Sequence, residues 1–257
     1  MQRTLIIACG ALAREIIAII AADRLAHLDL RCLPATLHNR PEKIADAVRA
    51  AIQEARGAYG RIFVAYADCG SGGALDRVLE EEQVERLPGP HCYATFAGQD
   101  RFATLADAEP GTFYLTDFLA RQFETLVIEG LGIDRHPELQ EAYFQNYRRL
   151  VYLAQTDDTE LTRKAEAAAA RLGLAFERLA VGMGELRAWI EKAAEESEHG
   201  HSDDRLLARH SSPGDRQGRA PDGQAAASGA VRAGDRSRRD ARRAHRHGRV
   251  SGAVAEI

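Results

Sequence analysis

Residues 61–83, RIFVAYADCGSGGALDRVLEEEQ, contain a strand, a sharp turn and a helix in direct succession. The apolar run RIFVAYAD predicts a buried strand, and the small residues 70–73, GSGG, predict a turn that leads into the helix GGALDRVLEEEQ. Cys69 stands between the strand and the turn. The segment therefore predicts a βα unit that carries a thiol at the carboxyl end of its strand.

The same alternation of strand and helix patterns runs on both sides of this unit. TLIIA (4–8) and LDLRCLPAT (28–36) predict strands, and each is followed by a segment with helical periodicity. Strands that alternate with helices are typical of an α/β fold with a mostly parallel sheet and helices on both faces. We expect one α/β domain over residues 1–198, with two possible lobes at 1–110 and 111–198.

The composition indicates a globular protein of the cytoplasm. Of the 257 residues, 45% are hydrophobic and 28% are charged, and no apolar run reaches the roughly 20 residues that span a bilayer. Arg14 and Glu15 interrupt the apolar N-terminal region, which therefore does not resemble a signal peptide. Four cysteines are too few for a disulfide scaffold. We expect a cytoplasmic protein without a membrane partner.

Residues 199–257 differ from the rest in charge and composition. They hold 12 arginines, 7 acidic residues and no Phe, Tyr or Trp, a balance of +5, so residues 1–198 carry −9 of the total of −4. We predict a disordered basic tail, since it has too little apolar surface to fold. Its composition is also typical of a shifted reading frame in a GC-rich gene. Further alternatives are a basic arm for RNA or membranes and a weak metal site at His199, His201 and His210. The acidic domain itself predicts no nucleic-acid partner.

Three of the four cysteines follow predicted strands or lie close to a strand end. Cys9 follows TLIIA, Cys69 follows RIFVAYAD, and Cys92 lies in the segment PGPHCYATF, which predicts a short irregular strand and loop. Parallel strands place their carboxyl ends at one edge, so these thiols are expected to meet there. Cys9 and Cys69 also precede helices, whose N-termini favour a thiolate that binds metal. Cys32 lies within a strand and is expected in the core.

Other residues near these cysteines are candidates for binding or proton transfer. The glycine-rich loop after Cys69 is expected to form a turn, with a phosphate-binding loop as the alternative, although neither GK[ST] nor GxGxxG spacing occurs. The residues of this possible cofactor loop are Gly70, Ser71, Gly72 and Gly73. The candidate catalytic groups are His91, Asp68 and Glu15, as a base, an acid or a structural acceptor.

Five segments together resemble the bacterial and archaeal family of domain of unknown function 1638. They are IIACGALARE, YADCGSGGALD, PHCYATFAG, EPGTFYLTDFL and FQNYRRLVYL, and the similarity runs over residues 4–193. The adjacent pair His91 and Cys92 departs from a pattern in which one residue often separates them, which leaves the role of the histidine open. The resemblance implies a shared site of Cys9, Cys69 and Cys92. It also implies a connection with corrinoid-dependent methyl transfer.

Three functions are compatible with these residues, and whether the protein is an enzyme stays open. In the first, the three thiolates hold zinc or an iron–sulfur cluster and act on a small-molecule substrate in one-carbon or methyl-transfer metabolism. In the second, the protein is a non-enzymatic accessory that handles a cofactor for a methyltransferase system; the corrinoid motif DxHxxG is absent, so direct corrinoid binding is not expected. In the third, Cys69 is a metal-free nucleophile with His91 as its base.

Overall fold

The first of two parallel sheets forms around the apolar strand at the N-terminus. The structure is a computed structural model that describes the backbone of residues 3–208 and the side chains of residues 3–197. In this sheet the strand order is β2-β1-β3-β4, and all neighbours are parallel. Its strands are β1 (Thr4–Cys9), β2 (Leu28–Leu33), β3 (Arg61–Ala65) and β4 (Glu85–Arg86). All six residues of β1 are buried, as expected for a central parallel strand.

The second sheet has three parallel strands in the order β5-β6-β7. Its strands are β5 (Thr112–Thr116), β6 (Arg149–Ala154) and β7 (Ala175–Ala180). The central strand β6 is almost entirely buried, whereas β7 lies at the sheet edge and has only exposed and half-buried residues. The two sheets divide the chain between β4 and β5.

Helices connect the strands and pack on the sheets, so the predicted α/β class is confirmed. The α-helices of the described residues are α1 (Ala13–Ala22), α2 (Ile44–Ala55), α3 (Ala74–Glu82), α4 (Cys92–Ala97), α5 (Gln99–Ala108), α6 (Asp117–Arg121), α7 (Glu138–Phe144), α8 (Thr159–Leu172) and α9 (Gly184–Ala208). Short 3-10 turns cover Gly10–Leu12, Ala35–Asn39 and Pro41–Lys43, and a π-helix covers Glu124–Glu129. As expected of an N-cap residue, Asp158 accepts hydrogen bonds from the first N–H groups of α8.

The segment around Cys92 is a helix, which corrects the predicted strand and loop. All six residues of α4 are buried, and this helix contacts α5, α9 and β6. A helix that is apolar on every side has no amphipathic period, so its sequence cannot be distinguished from that of a buried strand. His91 precedes it in extended conformation, with φ −162° and ψ 167°.

Cys32 is exposed, which corrects its predicted place in the core. The prediction assumed that a strand with apolar residues is covered on both faces. β2 instead lies at the edge of its sheet and pairs only with β1 among the described strands.

Helix α9 follows the last strand of the second sheet but packs on the first. It contacts α1 and α4, and the ring of Trp189 meets Phe63 of β3 edge-on at 6.2 Å between centroids. The hydroxyl of Thr4 in β1 donates to Ser197 Oγ at 2.8 Å. Buried residues of both sheets form one continuous core. The two sheets are therefore joined by α9 as well as by the chain between them.

Two further predictions concern the basic tail and the absence of a membrane span. The backbone of α9 enters the segment 199–257 as far as Ala208, and residues 209–257 lie outside the described residues, as do the side chains of His199, His201 and His210. Over the residues that are described, no helix combines the length and the apolar character that crossing a membrane requires.

Candidate thiol site

Cys9, Cys69 and Cys92 lie near one another at the carboxyl edge of the first sheet. Cys9 ends β1, Cys69 lies in the loop after β3, and Cys92 begins α4. The thiol of Cys69 interacts electrostatically with that of Cys9, and the thiol of Cys92 interacts with both. The backbone N–H of Cys92 also donates to the sulfur of Cys69. Three segments that are distant in sequence thus bring three thiols close enough to interact electrostatically.

Burial controls the protonation of these thiols. Desolvation raises the pKa of Cys9, raises that of Cys69 to about 12, and raises that of Cys92 well above its usual value. The neighbouring thiols add to the shifts of Cys69 and Cys92, because a second negative charge nearby is unfavourable. The expected stabilisation of thiolates by helix N-termini is therefore outweighed, and the helix after Cys69 begins only at Ala74.

The loop that carries Cys69 is fixed by backbone hydrogen bonds to the segment before α4. The N–H of Asp68 donates to Gly89 O at 3.1 Å, and the N–H of Cys69 donates to Pro90 O at 2.7 Å. Cys69 itself has φ +48°, a left-handed conformation that is uncommon outside glycine. Non-glycine residues held in this region are concentrated at functional sites.

Asp68 organises the glycine-rich turn. Its Oδ1 accepts hydrogen bonds from Ser71 Oγ at 2.6 Å and from the N–H of Gly73 at 3.0 Å. Gly70, Gly72 and Gly73 all have positive φ, as a tight turn requires. Because the turn uses these donors internally, the geometry favours a structural role for Asp68 and a plain turn over a phosphate-binding loop.

Two histidines, His38 and the His91 next to Cys92, interact with each other, and the sequence indicated only His91. The ring of His91 packs against Phe102 at 4.8 Å and Tyr93 at 5.3 Å between centroids, and its buried Nδ1 has no hydrogen-bond partner. Burial lowers the pKa of His91. His38, in the 3-10 turn after β2, interacts with His91, and burial together with this neighbour lowers its pKa to about 4. Both imidazoles are therefore neutral at pH 7, which is the form that binds metal.

Glu15 connects the thiols with the second sheet. It is buried in α1, interacts electrostatically with Cys92, and accepts a hydrogen bond from Arg121 of α6 through Oε1 at 3.4 Å. Burial raises its pKa, and nearby Asp117 adds to the shift, whereas Arg121 opposes it. Its second oxygen, Oε2, is buried without a partner. Glu15 therefore keeps a free oxygen between the two sheets.

Asp117 is a buried residue at the carboxyl end of β5, where the sequence predicted a polar candidate at the sheet edge. Its carboxylate accepts hydrogen bonds from the Tyr152 hydroxyl at 2.7 Å, the Gln155 N–H at 2.9 Å and the Thr156 hydroxyl at 2.6 Å. The sequence signal was its position directly after β5, at the end of the strand TFYLT. This network orders the carboxyl edge of the second sheet, which faces Glu15 through Arg121.

The side chains at the thiol site are of the types that bind metals, although they are not spaced as the ligands of a bound metal ion are. In residues 3–197, no three or more His, Cys, Asp or Glu side chains form a group able to hold a metal ion. Two buried polar atoms without partners nevertheless lie near these cysteines: Glu15 Oε2, whose carboxylate interacts with Cys92, and Nδ1 of His91, which directly precedes Cys92. Such atoms call for an explanation, and a bound ion or water is one. The Tyr66 hydroxyl forms a hydrogen bond with Cys9. Sulfur, nitrogen and carboxylate oxygen are all zinc ligands.

A cavity of about 610 Å³ lies at the opposite end of the first sheet. It is lined by the amino end of β3, by β4 and by Glu196 of α9. Its arginines are already paired, Arg56 with Glu82 and Arg61 with Glu196. This cavity contains no thiol or histidine and is separate from the thiol site.

A model of the family described as "Protein of unknown function (DUF1638)" matches residues 32–190 of the chain. This match includes Cys69, His91 and Cys92, and it begins after Cys9. No curated protein and no solved structure matches the chain significantly.

Proposed function

Because the chain belongs to the DUF1638 family, whose function is unknown, its activity must be argued from its own residues, and we propose that Cys9, Cys69 and Cys92 bind a metal. The metal is zinc or the iron of an iron–sulfur cluster. The observation that carries the proposal is the electrostatic interaction among three desolvated thiols from three separate segments of the chain.

A cation accounts for features of the site that protonated thiols leave unexplained. Three desolvated thiols gain little from being adjacent, whereas a metal replaces their protons and binds the thiolates directly. Since the thiols are not yet at ligand spacing, binding would draw the three loops together. The thiols supply three ligands, and the buried Nδ1 of His91, which interacts with His38, is available to a group bound at the fourth position.

Three protein ligands that leave one position for a substrate are the arrangement of catalytic zinc sites. Bound zinc would lower the pKa of a substrate thiol so that it can accept a methyl group, and a cluster would bind substrate at an open iron. The small-molecule substrate would lie between the two sheets, near Glu15, which interacts with Cys92 and accepts a hydrogen bond from Arg121. One-carbon or methyl-transfer metabolism is the setting we propose for this reaction.

Metal analysis of the full-length protein, purified without oxygen, tests this proposal directly. Cys9→Ser, Cys69→Ser and Cys92→Ser are compared with Cys32→Ser, which is the control because Cys32 is exposed in the edge strand β2, although its thiol interacts electrostatically with that of Cys9. We expect about one zinc per chain, or iron with the visible absorption of a cluster. Each of the first three variants should lose most of the metal, and Cys32→Ser should retain it.

Other results would support the remaining functions. If the pure protein holds no metal and all four variants behave alike, the metal proposal is wrong. Alkylation of Cys69 alone in a metal-free, active protein would indicate a nucleophile; its raised pKa and the lowered pKa of His91 argue against this function. Metal that is bound and then transferred to a co-purifying methyltransferase would indicate an accessory protein.

A further inference from the structure

The outer edge of β2 has backbone groups without partners. The N–H of Thr4 in β1 donates to His27 O at 3.2 Å, so residue 27 points toward β1. Backbone groups alternate in direction along a strand, and residues 29 and 31 therefore also point toward β1, whereas 28, 30 and 32 point outward. The N–H of Leu28 donates to Leu25 O, but within the described chain the backbone groups of Leu30 and Cys32 have no acceptor or donor.

The side chains of β2 divide into one charged and one apolar face. Asp29 and Arg31 share the first face, where Asp29 pairs with Arg3 and Arg31 pairs with Glu54 of α2. Leu28, Leu30 and Cys32 share the second face, and Cys32 is exposed. Helix α1, which contacts β2, carries Ile17 with 57% of its surface exposed. This edge thus combines unpaired backbone, opposite charges and uncovered apolar surface.

We propose that β2 pairs antiparallel with β2 of a second copy of this chain, about a two-fold axis at Leu30. A two-fold axis normal to the sheet keeps each face on the same side, so opposed residues must share a face. Centring on Leu30 places Asp29 opposite the partner's Arg31, Leu28 opposite the partner's Cys32, and Leu30 opposite itself. The pair 30–30 is then fully hydrogen-bonded, and in each pair 28–32 the Cys32 N–H donates to the partner's Leu28 O, because the Leu28 N–H already donates to Leu25 O.

Other symmetric registers fit less well. Centring on Cys32 places Leu30 opposite Pro34, which has no N–H to donate. Centring on Leu28 places the axis at an N–H that already donates to Leu25 O. The Leu30 register uses both free groups of Leu30 and the free N–H of Cys32, and it sets opposite charges in the non-hydrogen-bonded pairs, where side chains come closest.

The resulting interface has a defined charge order. Charges alternate in sign around the axis, in the order Arg3, Asp29, the partner's Arg31 and the partner's Glu54. The two-fold symmetry repeats this order of charges a second time. The two first sheets join into one eight-stranded sheet. Both thiol sites lie at strand ends rather than at the β2 edge, so metal binding does not depend on this pairing.

Charge exchange in the full-length protein tests the register. We expect sedimentation equilibrium to show a dimer, and Asp29→Arg or Arg31→Asp alone to weaken it at least about tenfold, because each sets like charges opposite one another twice. The double variant D29R/R31D should restore the dimer. It also destroys the pairs with Arg3 and Glu54 within each chain, so recovery can come only from contacts between copies. Glu160→Arg with Arg163→Glu on α8 is the control and should change nothing.

A cysteine at the axis gives a second, independent measurement. In a Cys32→Ser background, Leu30→Cys should form a disulfide-linked dimer under mild oxidation, because Cα atoms of a hydrogen-bonded antiparallel pair are about 5.5 Å apart. Phe176→Cys in the edge strand β7 is the matched control and should not cross-link. A chain that stays monomeric up to about 100 μM, or a dimer indifferent to these substitutions, would overturn the proposal.

Discussion

The backbone of Cys69 holds its thiol in position in a strained conformation. Its φ of +48° is sterically unfavourable for a residue with a Cβ atom, and the two hydrogen bonds from residues 68 and 69 to the segment before α4 hold it there. The conformation points to a site where position matters more than stability. Strain of this kind has a measurable consequence in substitutions that differ only at Cβ.

Cys69→Gly should be more stable than Cys69→Ala by about 1 kcal/mol, because alanine keeps the left-handed strain and glycine does not. Both variants lack the thiol, so the comparison isolates the backbone. Urea unfolding followed by circular dichroism measures the difference. Equal stabilities would mean that the loop relaxes away from this conformation once the thiol is absent.

His38 makes stability depend on pH in the weakly acidic range. Its folded pKa of about 4 lies below the value of 6.5 in an unfolded chain, so the unfolded state takes up the proton first as the pH falls. The free energy of unfolding should therefore decrease between pH 6.5 and 4, by up to about 3 kcal/mol from this residue. His91 acts in the same direction.

His38→Gln should flatten this pH dependence in urea titrations between pH 7 and 4. His136→Gln is the control, since the His136 side chain is 63% exposed. If both variants keep the full slope, His38 is not buried in the folded protein.

The approach of the three cysteines could be predicted because parallel strands share one carboxyl edge. Their raised pKa values could not, because burial depends on how α4 and the loop after β3 close over them. His38 was missed for a similar reason. It follows β2 in a 3-10 turn without any motif, and only the folding of that turn brings it to His91.

Helix α4 is held in place by a close contact with the start of α9. A Cβ atom at Gly184, where φ is +51°, would lie 2.3 Å from Phe96 O and 2.4 Å from Thr95 O. These carbonyls belong to the backbone of α4, which cannot move without displacing Cys92 at its first turn. The glycine is therefore required by contact as well as by conformation.

Gly184→Ala should destabilise the protein by more than about 2 kcal/mol, because overpacking against backbone adds to the left-handed strain. Gly182→Ala is a matched control: its φ is +62°, but nothing lies within 4 Å of its added Cβ. The control should cost about 1 kcal/mol. Similar losses for the two variants in thermal or urea unfolding would contradict the close contact.

At the level of elements, strong local patterns were sufficient for most of the fold. The apolar runs of β1 and β3 predicted strands that the structure contains. The prediction of a strand and loop at α4 and the prediction of Cys32 in the core were wrong, because both features depend on neighbouring elements. Helix α4 is surrounded by other elements, and β2 has a free edge. Neither condition can be predicted from the local sequence.

The two sheets are coupled through contacts that cross between them. Arg121 of the second half donates to Glu15 of the first, and Asn39 donates to Leu126 O in the π-helix at 3.2 Å. Helix α9 adds the ring contact of Trp189 with Phe63. These contacts favour unfolding of both halves together.

Trp189, the single tryptophan of the chain, reports on this coupling. We expect its fluorescence and the far-ultraviolet circular dichroism to change at the same urea concentration, because release of α9 exposes the cores of both halves. Phe63→Leu should lower the midpoint for both signals equally. Separate transitions would mean that α9 detaches before the sheets unfold.

The return of α9 to the first sheet also bears on how the protein is made. The strands β1 and β3 leave the ribosome long before residues 184–197, yet Trp189 and the Thr4–Ser197 hydrogen bond complete the packing around them. Contacts this distant in sequence slow folding and keep apolar surface exposed until the last segment arrives. The nascent first half therefore remains a client for chaperones until synthesis has passed α9.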